Sequence, residues 1–203
     1  MMRRIGLVLA LFVMGGIAVQ ADELTGGLSG VSVISDGSGA HRVLFRASEV
    51  AGLTDVAVRR AVLTVPLGGS SEREMLHLEV CPVTAAWTPG VASWNSGWSR
   101  AGGDYDDELA ARADVDLTVA GGAASFDVTP IVKELIESGA AFDGFILSVQ
   151  SRDGIGLNST DLARLQSLSG ASLTVEYRNV PQRSARVARA LARRGEAVAP
   201  EVR

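Results

Sequence analysis

An all-β chain, folded as an antiparallel sandwich of jelly-roll type with one short helix, is the architecture this sequence predicts. Three observations predict it. Short runs of alternating apolar and polar residues recur along the chain, eight or nine in all, and alternation with a period of two marks half-buried strands. Glycine-rich turn signals separate those runs. Between the two ends of the chain only residues 129–139 carry helical spacing, and many short strands with a single helix point to two packed sheets.

The elements follow in order. Val31 to Ser35 alternates weakly and stops at Asp36-Gly37-Ser38-Gly39, a strong turn signal. His41 to Ala47 alternates cleanly, with Val43 and Phe45 on one face and Arg42, Leu44 and Arg46 on the other. The longest run is Ala57 to Leu67, where Ala61, Leu63, Val65 and Leu67 point inward and Pro66 marks an edge or a strand end. Met75 to Val83 places Leu76, Leu78 and Val80 inward and His77 and Glu79 outward.

Residues 83–98 hold all three tryptophans, Trp87, Trp94 and Trp98. A loop over 99–114 comes next, rich in glycine and acid, and long enough to suggest function or irregular packing. Val115–Val119 and Ala123–Val128 read as a hairpin around Ala120-Gly121-Gly122. In the helix, Thr129 is placed as N-cap, Pro130 at the first helical position and Gly139 as its end, with Ile131, Val132, Leu135 and Ile136 as the apolar stripe. Gly144–Gln150 and Ala171–Arg178 supply the last strands.

The ends divide the chain further. Arg3 and Arg4 precede an apolar run, Ile5 to Val19, and Val19-Gln20-Ala21 has the small residues that signal peptidase requires. Residues 1–21 are therefore expected to be a cleaved export signal. The run is shorter than the ~20 residues of a spanning helix, and no second such run occurs, so no transmembrane span is expected after cleavage. Residues 22–27 read as a flexible leader, 28–180 as the sandwich domain and 181–203 as an Arg-rich tail. Cys81 is the sole cysteine, which excludes an intramolecular disulfide, and neither histidine has zinc-ligand spacing with it.

Charge separates body from tail. Residues 22–180 carry 11 Arg/Lys against 21 Asp/Glu, a net charge of −10, while residues 181–203 carry six Arg and two Glu, a net of +4. An acidic body argues against a nucleic-acid partner. In the tail, Arg183, Arg186, Arg189, Arg193 and Arg194 fall on one side of a helical projection, opposite Val187, Ala188 and Leu191. The tail reads as disordered or as an amphipathic helix, and so short and alanine-rich a segment is expected to be disordered when free. It is read as an electrostatic docking element for an acidic partner, anionic lipid or polysaccharide, or a second copy of the chain.

Two clusters are candidates for chemistry. Trp98, Trp94 and Tyr105 are the candidate ligand-binding residues, because a sugar ring's apolar face desolvates well against a flat aromatic surface. Framework packing is the other reading, and it is favoured for Trp87 and Trp94. The acidic run Asp104 to Glu108 reads as a solvated loop, as a calcium site built from Asp104, Asp106 and Glu108, or as a glycosidase carboxylate pair. It lacks the spacing of an EF-hand loop. Asn158-Ser159-Thr160 matches a glycosylation sequon, and no nucleophile elbow, P-loop or dinucleotide fingerprint occurs.

Several of these segments carry a resemblance. Trp87-Thr88-Pro89-Gly90-Val91-Ala92-Ser93-Trp94-Asn95 resembles the W-x-E-x-x-x-T-W-N segment of DNRLRE-type domains, which are grouped with disaggregatase-related carbohydrate-binding modules. Ser125 to Val132 resembles their F-D-V-T-x-x-V segment, and Gly144 to Leu147 their G-F-x-L strand. Ala171 to Tyr177 resembles their closing P-x-L-x-V-x-Y, and Ala61 to Val65 their A-x-L-x-L. Order and spacing agree over residues 41–178. This chain departs from the pattern at Pro89, where the family has glutamate, at Leu165-Gln166-Ser167-Leu168, and in an opening strand reduced to Gly30–Gly39. The resemblance implies an exported, non-catalytic jelly-roll module that binds carbohydrate or a cell-surface polymer. A structural envelope or filament protein acting through protein–protein contacts is the alternative expectation.

Overall fold

The computed structural model describes residues 22–47, 50, 52–68, 75–116, 122–140, 142–149 and 170–180. Their strands form two antiparallel sheets, as alternation predicts. The nine strands among the described residues are β1 (Asp22–Gly27), β2 (Ser29–Ser35), β3 (His41–Arg46), β4 (Val56–Pro66), β5 (Met75–Pro82), β6 (Ala111–Asp116), β7 (Ala123–Asp127), β8 (Phe145–Val149) and β9 (Ser172–Asn179). One sheet has the order β1-β9-β4-β7 and the other β2-β3-β8-β5-β6. The helix α1 spans Thr129–Ser138. Among the described residues, no helix is long and apolar enough to cross a membrane.

The interior forms because each strand turns its branched and aromatic residues the same way. Val43, Phe45, Ala61, Leu63, Val65, Leu76, Leu78, Val80, Phe126, Phe145, Leu147, Leu173 and Val175 join one buried cluster between the sheets. Each large side chain buried there contributes roughly 1.5–3 kcal/mol of apolar transfer. Pro66 ends β4, where a missing N–H costs no ladder bond.

Four local expectations are corrected. Residues 22–27 are strand β1, not a leader: they pair with β9 from Asp22↔Tyr177 to Gly27↔Ser172, with Leu24 among the alternately half-buried residues. Residues 115–119 and 123–128 are not a hairpin. β6 pairs with β5 in one sheet and β7 with β4 in the other. The two strands therefore lie in different sheets, and Val115, Ala124 and Phe126 meet in the interior between them. The long loop ends at Ala110, because Ala111–Asp116 is already β6.

At the helix start, Val128 is the N-cap and makes no side-chain cap bond; Thr129 lies inside the first turn. Its N–H donates to Asp127 Oδ1 at 3.0 Å, and its Oγ1 accepts the Ala61 N–H at 2.8 Å. The threonine thus stitches the helix to β4 while the aspartate takes the capping role. Gly139 ends the helix in the left-handed conformation, φ 65°, as expected of a glycine there.

Candidate functional site

The five-stranded sheet is buried on both faces at its centre. In β3, Leu44 is as fully buried as its neighbours Val43 and Phe45, and in β8 Ile146 is as buried as Phe145 and Leu147. Alternation between two apolar faces requires a cover on the outer one. The tryptophan loop supplies it. Ile34, Leu44, Cys81, Val83, Trp87 and Ile146 form a second buried cluster, with Trp94, Trp98 and Tyr105 packed against it.

The loop leaves β5 at Pro82 and returns alongside it. Thr84 N–H donates to Asp104 O at 3.0 Å and Asp106 N–H to Pro82 O at 3.1 Å, with Val83 bridged to Tyr105. Closing its ends this way turns a long irregular segment into a compact lid. Trp87 anchors it: the indole is 5% exposed and its Nε1 donates to Asp143 O at 2.7 Å. Arg46 lies over that ring, 5.5 Å from its centre, and bonds Trp87 O.

Arg42 joins lid and sheet. Its guanidinium lies 4.9 Å from the Trp94 ring centre and 5.0 Å from that of Tyr105, and it donates to Gly102 O at 2.6 Å. Arg100 also lies over the Tyr105 ring, at 4.1 Å. Trp94, Arg42, Tyr105 and Arg100 thus form one arginine–aromatic stack. Cation–π contacts contribute roughly 0.5–1 kcal/mol when exposed and about 2 when desolvated. Gly102 has φ +84°, and a side chain there would press on Arg42 and the Trp94 ring.

The structure separates the three candidate ligand residues. Trp94 and Tyr105 are committed to the arginine stack. Trp98 lines a half-open cleft of about 150 Å³ on the surface of the lid. Trp87, Val91 and Ala92 give the cleft its apolar surface, and Thr88 and Ser96 contribute hydroxyls. Trp98 Nε1 donates to Ser93 O at 2.7 Å, which fixes the indole plane. Val91, 69% exposed, is the most exposed large apolar residue among those described. Sequence reading missed Val91, Thr88 and Ser96. The available signal was Gly90-Val91-Ala92, an apolar pair set in a turn with no periodicity to bury it.

The acidic run is not brought together as a calcium site. Asp104 Oδ2 accepts the Ser99 N–H at 2.8 Å, and Oδ1 accepts the Ser99 hydroxyl at 2.8 Å and the Arg100 N–H at 3.1 Å. Asp106 Oδ1 accepts the Glu108 N–H at 3.0 Å. A hard cation needs about six to eight oxygens, so one loop must bring several carboxylates to a common point. Among the described residues, no three His, Cys, Asp or Glu side chains form a metal-holding group. The hydrogen bonds from Ser99, backbone first and then hydroxyl, hold Asp104 below the usual carboxylate range. Its role is to order the turn.

Cys81 lies under the lid, where burial, and then the charge of Glu79, push its thiol up to about 12. His77 pairs with Asp114 at 2.6 Å, an exposed cross-strand contact. The export signal, the sequon and the tail residues Arg183, Arg186, Arg189, Arg193 and Arg194 lie outside the described residues. Compared with known protein families and curated proteins, the chain matches no family model and no curated sequence.

Proposed function

We propose that this chain is an exported, non-catalytic module that binds a carbohydrate or cell-surface polymer through the cleft at Trp98. One observation carries the reading. A half-buried indole, held in plane by its bond to Ser93, forms the wall of an open apolar cleft that has two hydroxyls and no charged lining residue. A pyranose ring offers the matching chemistry, an apolar face for the indole and hydroxyls for Thr88 and Ser96. At about 150 Å³ the cleft is smaller than the ~300 Å³ at the low end of drug-sized pockets, which fits a single ring rather than an enclosed chain.

The resemblance to DNRLRE-type modules supports the same reading, as does the topology. With the β2–β3 hairpin counted as one position, the strand orders become 1-8-3-6 and 2-7-4-5. That is the arrangement of two interlocked Greek keys, and we read the sandwich as a jelly roll carrying one extra edge strand.

The test is a glycan screen with purified protein, followed by titration of Trp98→Ala. The reading expects binding to a neutral glycan, weakened about tenfold or more by the substitution, equivalent to ~1.4 kcal/mol or more. Binding that is unchanged in Trp98→Ala, or absent for every glycan, overturns it.

A further inference from the structure

Among the described residues, the two sheets end in four edge strands, and they are not alike. β6 carries Arg112, Asp114 and Asp116; β1 begins with Asp22 and Glu23; β7 is five residues long and ends in Asp127. β2, Ser29-Gly30-Val31-Ser32-Val33-Ile34-Ser35, carries no charge. An edge strand without charge or proline leaves its outer N–H and C=O groups open to another strand.

β2 also lies at the margin of a sheet one strand wider than its partner. Its side chains alternate. Ser32 and Ile34 are buried toward the lid, with Ser32 Oγ accepting the Gly90 N–H at 2.9 Å. Val31 and Val33 share the opposite face and are 38% and 36% exposed.

The order of residues in β2 points to its partner. Reversed about Ser32, the centre of the strand matches itself: Val31 exchanges with Val33, while Gly30 falls opposite Ile34 and ends the match. In an isologous contact, residue i of one copy meets residue j of the other and j meets i. Antiparallel pairing centred on Ser32 therefore sets Val31 against Val33 of the second copy, twice, on one face. Such opposed β-branched pairs are a favourable cross-strand combination. Charge points the same way, because two bodies of net −10 repel and this is the edge at which no acidic side chain enters the seam.

We propose that β2 is a self-pairing edge, joining two copies of this chain antiparallel about a two-fold axis at Ser32. The bulge between Ser29 and Ser32 and the left-handed Gly30, φ +64°, keep the paired length short. The seam is therefore well under the roughly 1,200 Å² of a standard interface, and the dimer dissociates on dilution. This proposal does not depend on glycan binding.

Sedimentation velocity on the full chain over a concentration series tests it. The expected result is a mass rising from monomer toward dimer, with the dimer equally or more populated at high salt, where repulsion between the acidic bodies is screened. Val33→Lys is expected to stay monomeric at every concentration. Met75→Lys, a substitution at a comparably exposed position away from β2, is expected to behave as wild type. Should Val33→Lys lose its native circular dichroism, Val31→Lys is read in its place. A wild-type monomer throughout, a Val33→Lys variant that still dimerises, or association abolished by salt overturns the proposal; the last assigns it to the basic tail.

Discussion

The two apolar clusters of this molecule share strands but not construction. Between the sheets, the interior is made mainly by regular alternation, and its members come from seven strands, the helix and the residues that flank them. On the outer face of the five-stranded sheet, four buried strand residues, Ile34, Leu44, Cys81 and Ile146, are covered by an irregular loop whose hold comes from tryptophan, arginine and backbone hydrogen bonds. A sheet covered by a sheet needs only complementary surfaces. A sheet covered by a loop needs specific side-chain bonds, because loop backbone must find partners for its N–H and C=O groups. The second construction leaves room for a cleft, and the first does not.

Neighbouring residues of β3 break the comparison most sharply. Phe45→Ala empties the interior and is expected to cost ~3–5 kcal/mol, and Leu44→Ala, facing the lid, ~2–5 kcal/mol. Chemical denaturation measures both. The two are expected to differ in kind: Leu44→Ala changes tryptophan fluorescence before the global transition, while Phe45→Ala shifts that transition as one step.

Arg42→Ala isolates the arginine stack. Loss of two cation–π contacts and the bond to Gly102 is expected to cost ~1–3 kcal/mol, and a double-mutant cycle with Tyr105→Ala is expected to show coupling. Additivity of the two losses would mean the stack does not hold the lid.

Trp98→Ala is expected to change stability by about 1 kcal/mol, since much of the ring faces the cleft, while removing ligand binding. Calorimetry and glycan titration on the same variant separate the two effects.

Asp104 gives the smallest effect, seen as a pH dependence. Its folded pKa is depressed by Ser99. The stability it contributes is therefore complete above about pH 4, near the unfolded value, and is lost as pH falls through the folded pKa. Asp104→Asn cannot titrate, and its lid stability is expected to be flatter across that acid window. The thermal midpoint of wild type is expected to be indifferent to calcium and to chelator, because no three carboxylates converge among the described residues.

How much of this was legible depends on periodicity. Leu63, Val65, Leu76, Leu78 and Phe145 announce the interior because a two-residue repeat has one physical cause. Leu44 falls on the face opposite Val43 and Phe45 by the same rule, correctly in direction, but the rule says nothing about what covers that face. The absent hairpin at 115–128 shows a related blindness: alternation on two flanking strands is the same whether they pair in one sheet or face each other across two. The leader at 22–27 was misread because Asp22, Glu23 and two glycines mask a strand held mainly by backbone pairing to β9. The site was half legible. Tryptophan content marked the loop, but only the structure shows that Trp94 and Tyr105 are bound to arginine and that Trp98 is left to line the cleft.

Cys81 offers the most direct test of the lid as a second packed core, since its thiol lies beneath it and burial has pushed it up to about 12. The measurement is its labelling rate by an aromatic disulfide reagent at mildly alkaline pH, in native wild type, in Arg42→Ala and in denaturant. A packed lid predicts strong protection in wild type, faster labelling in Arg42→Ala and full reactivity only on unfolding. Labelling of native wild type at the denatured rate would contradict it.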